Sequence, residues 1–263
     1  MIELPERPSR PMDGTAWGKQ MEVVFLGTAG YHPNETRHTS CVMIPEMGIV
    51  LDAGTGFFRV RQHLRATTLT ILLSHLHLDH VDGLTYLLDV LWEKPVEAVT
   101  IHGPPGVEYL RHGLFETPLF PLPLTYPVSP VPEEGMEIAG ARVTARLLPH
   151  PGGSLAYRLD WPDRSLAYVT DTTASLDYAE FVRGVDLLIH ECAFPDRMEA
   201  RARETGHSWT SAVSELALAA GAKRLILTHT NPLDPRPDPV ELDAARVCFP
   251  GVVVAHDGMA VVV

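Results

Sequence analysis

The feature that most constrains this chain is the segment His75-Leu76-His77-Leu78-Asp79-His80, which follows directly on the apolar run Ile71-Leu72-Leu73. It sets four side chains able to bind a cation at the mouth of a strand. Buried without partners, each unsatisfied polar group there would cost roughly 1 to 3 kcal/mol. Cations remove that cost. Zinc takes neutral imidazole and carboxylate at about 2.0 to 2.2 Å, and two such ions about 3.5 to 4 Å apart can clamp one hydroxide. His-x-His alone is weak, but with Asp-His appended the segment calls for a fold that closes loops over a metal centre.

The rest of the chain supplies such a platform. Short apolar, β-branched runs begin at residues 22–26 and recur at 41–44, 48–52, 70–74, 98–102, 142–148, 155–160, 165–170, 185–190, 224–228 and 252–255. That is too many strands for an α protein. Between them lie helical patterns: Leu84, Leu87, Leu88 and Leu91 share one face, as do Val213, Leu216, Ala217 and Ala220, the latter helix closing at Gly221. The class expected is therefore α/β, or α+β. Five strands end in the same way, running into His75, His150, Asp171, His190 and His229. Sheets of this class put their sites at the C-terminal edge, where loops converge. The stretch from Thr117 to Pro132 holds six prolines and is expected to be an irregular surface excursion or lid.

Composition narrows the function. A formal net charge of -12 disfavours a broad electrostatic grip on nucleic acid, so extended nucleic acid is not an expected partner. Cys41, Cys192 and Cys248 are odd in number and widely spaced, so neither a disulfide framework nor a thiolate zinc knot is indicated. With no long apolar stretch, the expectation is a soluble, cytoplasmic protein without a membrane partner. Pro5, Pro8, Pro11 and Gly14 block regular structure near the start, giving an expected arm over residues 1–20 and one domain over residues 21–263.

From residue 21 onward the chain resembles the metallo-β-lactamase superfamily, and within it the ribonuclease Z-like phosphodiesterases. The resemblance rests on Phe25-Leu26-Gly27-Thr28-Ala29-Gly30 with Arg37-His38-Thr39-Ser40, on Leu51-Asp52-Ala53-Gly54, and on the histidine segment. His150, Thr170-Asp171-Thr172, His190-Glu191-Cys192-Ala193, Gly206-His207-Ser208 and Leu227-Thr228-His229 then come in the family's order. The fold it implies is a four-layer αββα sandwich. The resemblance further implies two divalent metal ions, zinc or alternatively manganese: one on His75, His77 and His150, the other on Asp79, His80 and His229, with Asp171 bridging them. His207, 22 residues before His229, resembles the histidine that contacts the scissile phosphate and helps the leaving oxygen depart. Glu191 resembles the carboxylate that orients it. Asp79 is expected to hold the attacking hydroxide through its free oxygen.

A cation beside a transferring phosphoryl group offsets developing charge, and a carboxylate fixes the imidazole tautomer, so these roles are physically coherent. The plainer reading of His207 is a residue at the entrance of a helix that Ser208 or Thr210 caps. Gly27 to Gly30 is expected to be a tight turn near the site, not a phosphate loop. His256-Asp257-Gly258 is either a structural turn or a support for a ligand, and Cys192 a buried residue without chemistry.

Ribonuclease Z proper carries a long transfer-RNA-gripping arm between the positions matching His150 and Asp171. Here only 20 residues separate them. The expected substrate is thus a small phosphodiester: a cyclic nucleotide, a cyclic ribose phosphate or a short oligonucleotide. The alternatives are an arm-less ribonuclease Z acting on transfer RNA precursors, a thioester or lactone hydrolase of the same fold, and a non-catalytic accessory protein. Relatives often pair, so a homodimer is the expected assembly if the chain self-associates.

Overall fold

The computed structural model describes residues 20–263, so all of the expected arm except Gln20 lies outside the described residues. In chain order the strands are β1 (Glu22–Gly27), β2 (Cys41–Ile44), β3 (Ile49–Leu51), β4 (Thr68–Leu72), β5 (Ala98–Gly103), β6 (Val128–Pro130), β7 (Met136–Ile138), β8 (Ala141–Leu148), β9 (Ser154–Asp160), β10 (Ser165–Val169), β11 (Leu187–Glu191), β12 (Leu225–Thr228), β13 (Val253–Val254) and β14 (Ala260–Val262). They form two seven-stranded sheets, ordered β14-β1-β2-β3-β4-β5-β6 and β13-β12-β11-β10-β9-β8-β7.

Because successive strand residues point to opposite faces, each buried strand feeds two cores. Val23 and Phe25 of β1 and Leu166 and Tyr168 of β10 meet between the sheets. Val24 and Leu26 pack outward with Phe57, Val60, Leu84 and Leu87 from the helical turns over the first sheet. Ala167 and Val169 pack outward with Val213, Leu216 and Ala217 of the helix Thr210–Ala220 over the second. The result is the four-layer helix–sheet–sheet–helix arrangement expected of the chain. That helix ends as the pattern requires, on Gly221 at φ 66.

Two local expectations need correction. Leu88 is 56% exposed, and Val90 takes the inward place instead. The turn before it, Asp82–Tyr86, is a 3₁₀ helix of three residues per turn, so a 3.6-residue projection carried through it misplaces the side chains beyond. Within the proline-rich stretch, Val128–Pro130 is a strand, paired parallel to Ile101–Gly103. It sits at the sheet's edge, where a proline removes no ladder hydrogen bond.

Strand direction positions the site. β3 to β6 run parallel, as do β10 to β13, and β8 shares the direction of β10 because both are antiparallel to β9. The C-terminal ends of β4, β8, β10, β11 and β12 therefore open onto one edge of the sandwich. No helix among the described residues is long and apolar enough to cross a membrane.

Candidate metal centre

After β4 the chain turns so that His77 directly precedes the short helix Leu78–Val81, and His75, His77, Asp79 and His80 gather at the strand's mouth. The second sheet faces them with His150 after β8, Asp171 after β10 and His229 after β12. Asp171 and His229 both lie at positive φ, 48° and 55°. Non-glycine residues adopt that conformation where surrounding structure enforces it, characteristically at sites.

His207 comes within reach of Asp171 and His229, and the other donor atoms form two groups, His75, His77, His150 and Asp171 in one and Asp79, His80 and His229 in the other. Asp171 faces both. Its Oδ2 stands 3.7 Å from His75 Nε2 and 3.6 Å from His150 Nε2, while its Oδ1 stands 3.1 Å from both His80 Nε2 and His229 Nε2. Asp79 Oδ2 is 3.3 Å from His80 Nε2 and 3.5 Å from His229 Nε2. Ligands around one tetrahedral zinc, with bonds of about 2.1 Å, would stand ~3.4 Å apart, so these spacings fit two cations sharing one carboxylate. His75 Nε2 is buried with no hydrogen-bond partner. His80 Nε2 faces His229 Nε2 at 3.3 Å, although His80 already engages Asp52 through Nδ1 at 2.8 Å. A cation satisfies both facing nitrogens.

The charges agree. Burial opposes ionisation of Asp79 and Asp171, but the neighbouring histidines outweigh it and hold both carboxyls well below the ordinary range. Burial, with the nearby His80, pushes His75 well down, towards the neutral form a metal needs. Two divalent cations per chain are therefore expected from metal analysis of metal-replete protein. A content held at one would remove the shared-carboxylate arrangement.

Behind the donors lies a layer that aims them. Asp52, at φ 60, accepts from the Ser74 N–H and hydroxyl, from Tyr168 Oη at 2.8 Å and from His80 Nδ1, which leaves His80 Nε2 for the site. The Tyr31 N–H donates to Asp79 Oδ2 at 2.7 Å. Gly30 touches the centre from the other side: a Cβ there would lie 2.7 Å from His229 Nδ1 and 2.8 Å from its Nε2. The glycine turn is thus set by close approach to a histidine, as expected of a tight turn and not of a phosphate loop.

His207 leaves Gly206, at φ 74, between two helices. Its Nδ1 donates to Glu191 Oε1 at 2.9 Å, and its ring lies 5.4 Å from those of His150 and His229. Glu191 is wholly buried and also accepts the N–H groups of Thr172, Ser208 and Ala193, at 2.9, 3.1 and 3.3 Å. Burial opposes its ionisation, but His207, with His229 beyond it, outweighs that cost and keeps Glu191 below its usual range. Burial pushes His207 down, but Glu191 outweighs it and raises the imidazole to about 9. The plainer capping reading fails in detail: Ser208 Oγ donates to Thr172 O, and Asp196 accepts from Ser211 N at the start of the following helix.

His190 breaks the pattern of strand ends. It shares the parity of Leu188, so its ring turns towards the outer helical layer and pairs with Tyr178 Oη at 2.8 Å. Glu191, one residue on, takes the opposite face. Asp257 is a structural knot, accepting from Thr28 Oγ1, from the His38 N–H and from Arg59. Cys192 is buried, and burial raises its thiol well above the usual range. His32 lines the cleft over the donors, whereas His38 lies in a neighbouring groove. Sequence reasoning missed Ser74, Tyr168 and Tyr31. Only Tyr31 left a signal, an aromatic residue directly after the glycine turn.

A model of the β-lactamase superfamily domain matches residues 48–230. Ribonuclease Z of Methanothermobacter thermautotrophicus is 29% identical, over 92% of this chain and 96% of that protein. The metallo-β-lactamase fold protein YhfI of Bacillus subtilis superposes with a TM-score of 0.76 at 21% identity, covering 93% of this chain and 100% of YhfI. The short form of human tRNase Z superposes with a TM-score of 0.72 at 24% identity, covering 92% and 98%.

Proposed function

The chain belongs to the metallo-β-lactamase superfamily, and we propose that within it this protein hydrolyses small phosphodiesters. The observation that carries the reading is the Glu191–His207 pair. A wholly buried carboxylate with four donors fixes an imidazole beside the donor set and raises its pKa. A thiolate leaves without a proton, so thioester hydrolysis makes no use of an acid there, whereas the alkoxide of a phosphodiester does.

His75, His77, His150 and Asp171 would hold one divalent cation, zinc or manganese, and Asp79, His80, His229 and Asp171 the other. Bound there, the pair would supply Lewis acidity and a water acidic enough to ionise near neutral pH. The chain's own groups do the rest. Asp79, fixed through Oδ2 by the Tyr31 N–H, keeps Oδ1 to accept a hydrogen bond from the attacking group and so hold it in place. His207, aligned by Glu191 through Nδ1, presents Nε2–H to the departing oxygen and neutralises it.

The surroundings favour a small substrate. Between His150 and Asp171 the chain makes only β9 and β10, joined by a short turn, so no arm extends there. Arg201 is the one lysine or arginine lining the cleft among the described residues, and it pairs with Glu204 at 2.7 Å. Three further arginines, candidates for a basic patch, are engaged internally: Arg59 with Asp257, Arg61 with the carbonyls of Asp89 and Trp92, Arg65 with Glu22 and Glu46. Little remote binding energy remains for a long phosphate backbone.

Specificity constants at moderate salt should accordingly be high for bis-aryl phosphates and cyclic nucleotides and low for precursor transfer RNA. The ribonuclease Z likeness supplies the competing result. Efficient, accurate removal of the RNA three-prime trailer would make this an arm-less ribonuclease Z instead.

A further inference from the structure

The metal donors and His207 account for only part of the cleft's lining, and Tyr31 stands outside them. It follows the glycine turn after β1 at φ 61, a backbone conformation that bulky side chains rarely adopt. Its N–H is tied to Asp79, so the residue stands one hydrogen bond from the donor set. Yet the residue is 82% exposed, its ring set edge-on to that of His32 with centroids 5.4 Å apart while it lines the cleft that contains His77, His150, His207 and His229. A large ring is thus held in water next to the reacting centre.

The remaining walls are of similar character. Leu78, Phe194, Met198 and Leu233 line the same cleft, Leu78 and Leu233 being largely exposed. The cavity measures about 990 Å³, ample for a ligand of nucleotide size. A planar, weakly polar body would find surfaces to cover here. A second phosphate would find only Arg201, already paired.

We infer that Tyr31 is a stacking platform for an aromatic group carried by the substrate, so that the preferred diesters bear a nucleobase or aryl ester and are not bare cyclic sugar phosphates. The inference rests on the phosphodiesterase reading. Stacking tolerates any base, because every base presents a π-face. The preference is therefore for the presence of a ring and not its identity.

The test compares adenosine 2′,3′-cyclic phosphate with 1-O-methylribose 2′,3′-cyclic phosphate, two diesters alike except for the base, on metal-loaded protein. The N–H that holds Asp79 belongs to the main chain and survives substitution, so whatever change is common to both substrates, Tyr31→Ala should raise KM for the adenosine diester about tenfold relative to the base-free one and bring the two KM values together. Tyr31→Phe should behave like the parent. Tyr31→Gly, which accepts positive φ freely, should reproduce Tyr31→Ala and so separates loss of the ring from backbone strain. Equal changes on both diesters, or none on either, would overturn the platform while leaving the phosphodiesterase reading intact. If the parent hydrolyses neither diester nor bis-aryl phosphates, but does hydrolyse thioesters or lactones, that reading and the platform fall together.

Discussion

His229→Ala is expected to abolish turnover and to lower the metal content from two cations per chain to one. His229 Nε2 lies 3.1 Å from Asp171 Oδ1, 3.5 Å from Asp79 Oδ2 and 3.3 Å from His80 Nε2, so it completes the second donor group. Without it, Asp79, His80 and one oxygen of Asp171 remain, a set with a single imidazole, and the lost nitrogen donor weakens the hold on the second cation. The first group, His75, His77, His150 and Asp171 Oδ2, is untouched and should stay loaded. Activity should fall on the order of 10³-fold or more, because groups that act as a unit fail as one. Metal analysis and kinetics on the same preparation decide the matter. A variant that keeps two cations, or that keeps near-parental rates with one, would show that the second group does not serve the reaction.

His207→Ala should give the contrasting result: both cations retained and turnover down by on the order of 10²-fold or more, the usual scale for a positioned acid–base group. The loss should grow as the leaving group becomes poorer, since a good leaving group needs no proton. Glu191→Gln should act in the same direction. The carboxylate is what raises His207, so its removal lowers the imidazole pKa. The protonated form then persists only to lower pH, and the basic limb of the rate profile for a poor-leaving-group diester should move down in pH. If His207→Ala hydrolyses such a diester like the parent, the leaving-group role is wrong.

A residue's role is legible in the sequence where its constraints are local. The run His75 to His80 carries its meaning within six residues, and strand ends at His150, Asp171 and His229 announce themselves because apolar runs stop there. His190 looks identical by that criterion. Only the alternation of side chains across β11, anchored by which face Leu188 buries, separates it from Glu191. Leu88 escapes its helical pattern for a related reason, the change of period at Asp82–Tyr86. The support given to Asp52 by Ser74 and Tyr168 spans 22 and 116 residues in sequence, and no local pattern reports a contact of that range.

The close approach of Gly30 to His229 has a consequence for comparing sequences within the superfamily. One methyl group at position 30 would occupy the volume of the imidazole that completes the second donor group. Gly30→Ala, a single-nucleotide change, is expected to displace His229 and weaken the second donor group while every donor residue stays in place, which the metal content of the variant would show. Ligand motifs alone would then misclassify such a chain as intact. The residue facing His229 belongs beside the histidines and aspartates in any criterion that sorts two-metal members from degenerate ones.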